Sequence, residues 1–113
     1  MNENCLFCRI AKGEIPTKFV AESDEAVAFR DIDPKAPVHV LVIPRQHLTS
    51  LGTAEDEELL GQLLMFAAKV ARTEGISESG YRVIANTGPD GGQSVDHLHF
   101  HVMGGRRMTW PPG

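Results

Sequence analysis

The stretch Asp96-His97-Leu98-His99-Phe100-His101-Val102 alternates histidine with apolar residues, and this pattern constrains the chain more than any other. Successive side chains of a β-strand point to opposite faces. Leu98, Phe100 and Val102 are therefore expected in the core, and His97, His99 and His101 on the other face at spacings of about 6.5 to 7 Å. Three imidazoles in register displace packing area without replacing it, so chemistry or metal binding is favoured over a structural role. His39, standing alone, reads first as a buried, hydrogen-bonded histidine.

The rest of the chain reads as an α+β arrangement, a small antiparallel sheet of about five strands carrying one long helix and a short N-terminal one. Residues 6–13 can form the short helix, with Leu6, Phe7, Ile10 and Ala11 on one face, covering an edge of the core until Gly13 ends it. Residues 19–22 and 26–30 read as a hairpin across Ser23-Asp24-Glu25. Residues 38–43 are almost wholly apolar, which suits a strand buried on both faces, and Pro44 should end it. The long helix is expected from residue 54 to about 74, with Thr53 as N-cap, acidic residues in its first turn and Gly75 as its stop. Residues 81–85 and 95–103 complete the strands. At 113 residues one compact core is within reach and two are not, so residues 1–113 are expected to form a single domain.

Fifteen acidic against eleven basic residues give a net charge of −4, and no basic cluster exceeds Arg106-Arg107. Such a surface argues against nucleic-acid partners. No apolar run approaches the ~20 residues of a membrane span, and no signal-like segment opens the chain, so a cytoplasmic location is expected. Any phosphate must be bound locally. Residues 86–94 offer the means, because glycine amides approach anions closely and Gln93 and Ser94 add side-chain donors just before the histidines. Cys5 and Cys8 could be a redox pair, two buried thiols or half a zinc site. No strand precedes Cys5 to support the redox reading, and His47 is otherwise unexplained.

The run from His97 to Met103 matches the H-φ-H-φ-H-φ-φ signature (φ apolar) of the histidine triad (HIT) superfamily. Gly91-Gly92-Gln93-Ser94-Val95, Gly104-Gly105-Arg106 and Trp110-Pro111-Pro112-Gly113 resemble its nucleotide-binding branch, as do Glu14-Ile15-Pro16, residues 28–32, residues 34–37 and Leu41-Val42-Ile43-Pro44. The resemblance implies a HIT-like fold and hydrolysis of purine nucleoside 5′-phosphoramidates to AMP through a nucleotidyl-histidine on His99. It implies that His101 holds the phosphate, that Ser94 and Gln93 bond the phosphate or leaving group with Gly92 beside them, that Asn86 sits at the ribose-phosphate side, and that His97 and nearby carbonyls fix the tautomer of His99. Asp31 would accept from the ribose, and Leu6, Phe7, Ile10, Phe29 and Ile32 would hold the base, although plain core competes for Leu6 and Ile10. His39 would support the triad from beneath.

The same resemblance implies structural zinc on Cys5, Cys8, His47 and His97, no organic cofactor, and a homodimer in which Trp110 nears the partner's site. A tail folded back on its own chain is the other reading of Trp110. Two positions depart from the branch: its eukaryotic-type members lack the cysteines, and Asp96 stands where an aromatic residue is usual. Dinucleoside polyphosphate hydrolysis, or a non-catalytic nucleotide- or zinc-binding adaptor, are the alternatives.

Overall fold

A computed structural model describes residues 4–113. Five antiparallel strands, β1 (Phe19–Glu22), β2 (Ala26–Arg30), β3 (Val38–Pro44), β4 (Tyr81–Ile84) and β5 (Phe100–Gly104), form one sheet in the order β1-β2-β3-β5-β4. Helix α1 (Leu6–Ala11) precedes them, and α2 (Glu57–Thr73) connects β3 to β4. Among the described residues no helix is long and apolar enough to cross a membrane.

The central strand β3 sets the layering. Val40 and Val42 face one side with Leu63, Ala67, Val70 and Leu98, while Leu41 and Ile43 face the other with Phe7, Ile10 and Phe29. The first cluster lies under α2 and the second includes the buried face of α1. This corrects the expectation that α1 merely covers an edge of one core: each helix closes one face of the sheet. Strand β3 can serve both layers because its side chains alternate and Val40–Ile43 are apolar without interruption.

Helix α2 starts later than its periodicity suggests. Asp56, not Thr53, is the N-cap, its carboxylate accepting from the Leu59 amide at 3.0 Å. Thr53 instead ends a short 3₁₀ turn capped by the Ser50 hydroxyl. Beyond the last turn the amides of Glu74, Gly75 and Ile76 bond to the carbonyls of Val70, Arg72 and Ala71, with Gly75 at φ +77°. A left-handed residue there closes the helix end and favours glycine.

The histidine segment is only partly strand. Pairing of β5 with β3 runs from Gly104 opposite Val38 to Phe100 opposite Val42, and residues 95–99, expected in the strand, lie outside the ladder. Pro44 has no amide to donate, and its carbonyl accepts from the ring of His97 at 2.9 Å. The Leu98 amide donates instead to the Leu48 carbonyl. The two-face alternation nevertheless persists through residue 102, with Leu98, Phe100 and Val102 in the α2 layer.

Candidate functional site

His97 is fully buried against the N-terminus of α1. Its Nε2 donates to the Pro44 carbonyl, so the neutral ring keeps its lone pair on Nδ1. That nitrogen lies 3.3 Å from Cys5 Sγ and 3.5 Å from Cys8 Sγ, and His47 Nδ1 lies 3.2 Å from Cys8 Sγ. The four ligand atoms are all within 4.8 Å of one another. Zinc–sulfur bonds near 2.3 Å and zinc–nitrogen bonds near 2.05 Å at tetrahedral angles place sulfur and nitrogen about 3.5 Å apart. The donor set, its spacing and the carbonyl behind His97 therefore all fit a zinc ion, as the sequence anticipates.

A different chain of imidazoles begins at Lys35. Its backbone amide donates to His39 Nδ1 at 3.0 Å, which puts the His39 proton on Nε2. From there it is shared with His101 Nδ1 at 2.9 Å, with a carboxylate oxygen of Asp31 at 3.4 Å. His101, accepting on Nδ1, carries its own proton on Nε2. Burial first, then the neighbouring His99 and His39, push the His101 pKa down to about 4, and burial also lowers that of His39. Both shifts favour the neutral rings.

His99 lies between the two chains and is only 4% exposed. Its Nδ1–H donates to the His97 carbonyl at 2.7 Å, which leaves Nε2 as the nitrogen with a lone pair. The His99 ring stands 5.1 Å from that of His101, and Phe7 meets it edge-on at 5.1 Å between centroids.

These rings border a cavity of about 210 Å³ lined by Leu6, Phe7, Ile10, Phe29, Asp31, Ile32, Ser94, His99 and His101, with Arg30, Leu41 and Val95 completing it. Phe7 and Phe29 pack edge to face, and Leu6 and Ile32 stand at the exposed rim. Asp31 is fixed by the Asp33 amide, which donates to its other carboxylate oxygen at 2.9 Å.

Three residues expected beside the phosphate do not line this cavity. Asn86 donates to the Gly91 carbonyl. Gln93 accepts from the Gly88 amide and donates to the carbonyls of Thr49 and Val95, so its side chain ties the loop to the body of the protein. Gly92, at φ +77°, shapes the same loop. Gly91 is held still more narrowly, because a Cβ there would lie 2.3 Å from the Thr87 carbonyl oxygen. The backbone partners Lys35 N and Pro44 O escape sequence reasoning, since no side chain announces them. Arg30 could have been suspected from its place between Phe29 and Asp31.

The model of the HIT domain matches residues 12–108. A 14 kDa zinc-binding protein from Zea mays is 52% identical, over 96% of this chain and 87% of that protein. The adenylylsulfatase HINT1 of Arabidopsis thaliana is 50% identical, over 96% of this chain and 76% of that protein. A crystal structure of a HIT family hydrolase from Legionella pneumophila superposes with a TM-score of 0.94 at 52% identity, covering 97% of this chain and all of the other.

Proposed function

The chain belongs to the HIT domain family, and from that premise we propose that it is a nucleotide hydrolase using His99 Nε2 as nucleophile on the α-phosphorus of a purine nucleoside 5′-phosphoramidate. The observation that carries the reading is the set of hydrogen bonds that assigns the ring protons of His39, His97, His99 and His101. With Nδ1 committed to the His97 carbonyl, Nε2 is the nitrogen of His99 left to act at the cavity.

The base enters between Leu6, Phe7, Ile10, Phe29 and Ile32, and Asp31 accepts from the ribose hydroxyls. A cavity of about 210 Å³ falls below the roughly 300–1,000 Å³ of a full ligand pocket, so it encloses only part of a nucleotide, and the phosphate rests on its histidine side. There His101 Nε2–H and the Ser94 hydroxyl donate to phosphoryl oxygens, supported by the loop that Gln93, Asn86 and Gly92 shape. His99 Nε2 forms a bond to phosphorus as the P–N bond breaks, and the amine departs with the electron pair and takes up a proton. Water then adds to phosphorus, the bond to His99 breaks, and AMP leaves.

Cys5, Cys8, His47 and His97 would hold a zinc ion, a reading supported by their geometry and by the name of the maize relative. Bound there, it supplies a cross-link with four protein ligands and no open position for substrate. The protein works as a homodimer in which Trp110 reaches the partner's site. In support, Trp110 is 81% exposed on a tail pinned by Arg82 to Thr109, beside the free edge of β4.

The Arabidopsis relative's name favours a second leaving group, sulfate, on the same adenylyl-histidine chemistry. Purified protein should release AMP from adenosine 5′-phosphoramidate, with adenylyl sulfate assayed in parallel to rank the leaving groups. His99→Ala should lower release by at least about 10³-fold while AMP still binds. Unchanged turnover in that variant overturns the mechanism. Binding without release from either substrate would move the protein to the adaptor class.

A further inference from the structure

Helix α1 has six residues, too few to persist without outside anchors. At its C-terminal end, Arg45 donates to the Ala11 carbonyl at 3.3 Å while also holding Ser23 and Glu22. At its N-terminal end, the anchors are Cys5, which caps the helix and meets the imidazole of His97, and Cys8, which lies inside it and meets those of both His47 and His97. Between those anchors the same turn of helix supplies Leu6, Phe7 and Ile10 to the cavity. Phe7 touches both sides at once, edge-on to His97 at 5.9 Å and to His99 at 5.1 Å. His97 joins them by a second route, its ring among the thiols and its carbonyl on His99 Nδ1.

We infer that the thiol–imidazole cluster is a positioning device for the nucleotide pocket, so that metal and nucleotide bind with positive coupling through α1 and Phe7. This rests on the proposed nucleotide reading of the cavity. The physical reason is that both ligands favour the same arrangement. The metal fixes the two cysteines relative to His97, which seats the helix; the nucleotide needs the seated helix as one wall of its pocket. Whichever binds first has already ordered the segment the other requires. Linkage makes the effect reciprocal: if zinc tightens AMP binding by some factor, AMP tightens zinc binding by the same factor.

The test measures binding. AMP is titrated by calorimetry into zinc-loaded wild-type protein and into the same protein after chelator treatment. Zinc transfer to a chromogenic chelator is then followed from the loaded protein with and without AMP, a measurement that begins from the folded, loaded state. The expected result is AMP affinity at least about fivefold lower in the stripped protein and a matching loss of chelator competition when AMP is present. In Phe7→Leu, zinc should still be held while the coupling factor falls toward one. Equal AMP affinity in both forms together with AMP-independent zinc transfer overturns the coupling but leaves the nucleotide site standing. Failure of AMP to bind even the loaded protein overturns the nucleotide reading and the inference with it, and failure of the wild type to retain zinc overturns the metal side.

Discussion

Two clusters flank His99, and both present imidazoles beside acidic or thiol groups. One is Cys5, Cys8, His47 and His97; the other is Asp31, His39 and His101. What separates them is the partner on the far side of a ring. Behind His97 stands a carbonyl, that of Pro44, which takes the ring proton and turns a bare nitrogen toward two sulfurs. Behind His39 stands an amide, that of Lys35, which fills the lone pair and turns a proton toward His101. A carbonyl makes a metal ligand and an amide makes a donor. Spacing agrees, because the 2.9 Å between the His39 and His101 nitrogens is a hydrogen-bond length, shorter than the ~3.3 Å between two nitrogens on one tetrahedral zinc. The difference teaches that backbone groups can set the chemistry of identical side chains.

The comparison would break most visibly at Cys8. Zinc at 1,000 times its dissociation constant should stabilise the wild type by about 4 kcal/mol, read as a shift in thermal midpoint, and Cys8→Ser should lose that increment. An equal zinc-dependent shift in the variant would remove the cluster from the metal class. His39→Ala probes the other cluster, where it strips His101 Nδ1 of its donor. A group left without its partner costs about 1–3 kcal/mol, so kcat should fall roughly 5- to 150-fold with little change in KM and no loss of zinc. Loss of zinc instead would merge the two clusters into one.

A further effect lies in pH. His101, His39 and His97 have lowered pKa values in the folded protein, against about 6.5 in the unfolded chain. The unfolded state then binds more protons, so stability is full above about pH 6.5 and declines as pH falls toward the His101 value of about 4. Urea midpoints between pH 7 and 4.5 should show this decline. His101→Gln should flatten it by less than one proton, under about 1.4 kcal/mol per pH unit. A slope of opposite sign would mean that the rings are charged in the fold.

Much of the architecture was legible from residue pattern. The uninterrupted run in β3 announces burial on both faces, and the three- and four-residue spacing of Leu59, Leu60, Leu63, Leu64, Ala67, Ala68 and Ala71 announces α2. The placement of α1 was less legible, since a six-residue amphipathic turn does not say which face of a sheet it will cover. Pattern also misplaced the start of β5, because the ladder stops where Pro44 commits its carbonyl to a side chain, an event no period records. At the site, the resemblance brought together Asp31, Phe29, Phe7, Ser94, His99 and His101, all of which line one cavity. It offered less for Gln93, whose amide could equally serve an anion or the loop and which here bonds the loop.

The alternation from His97 to Val102 also bears on how this protein can change over evolutionary time. Even-numbered residues there belong to the layer under α2, and the odd-numbered histidines to the opposite layer with its chemistry. Inserting or deleting one residue within the segment would send imidazoles into the apolar layer and Leu98 or Phe100 into the site, losing core and catalysis in one event. A substitution acts on one position; a change of length acts on every position after it. The segment is in effect a ruler, and the spacing of its histidines should resist change even where the apolar residues between them exchange freely for others of similar volume.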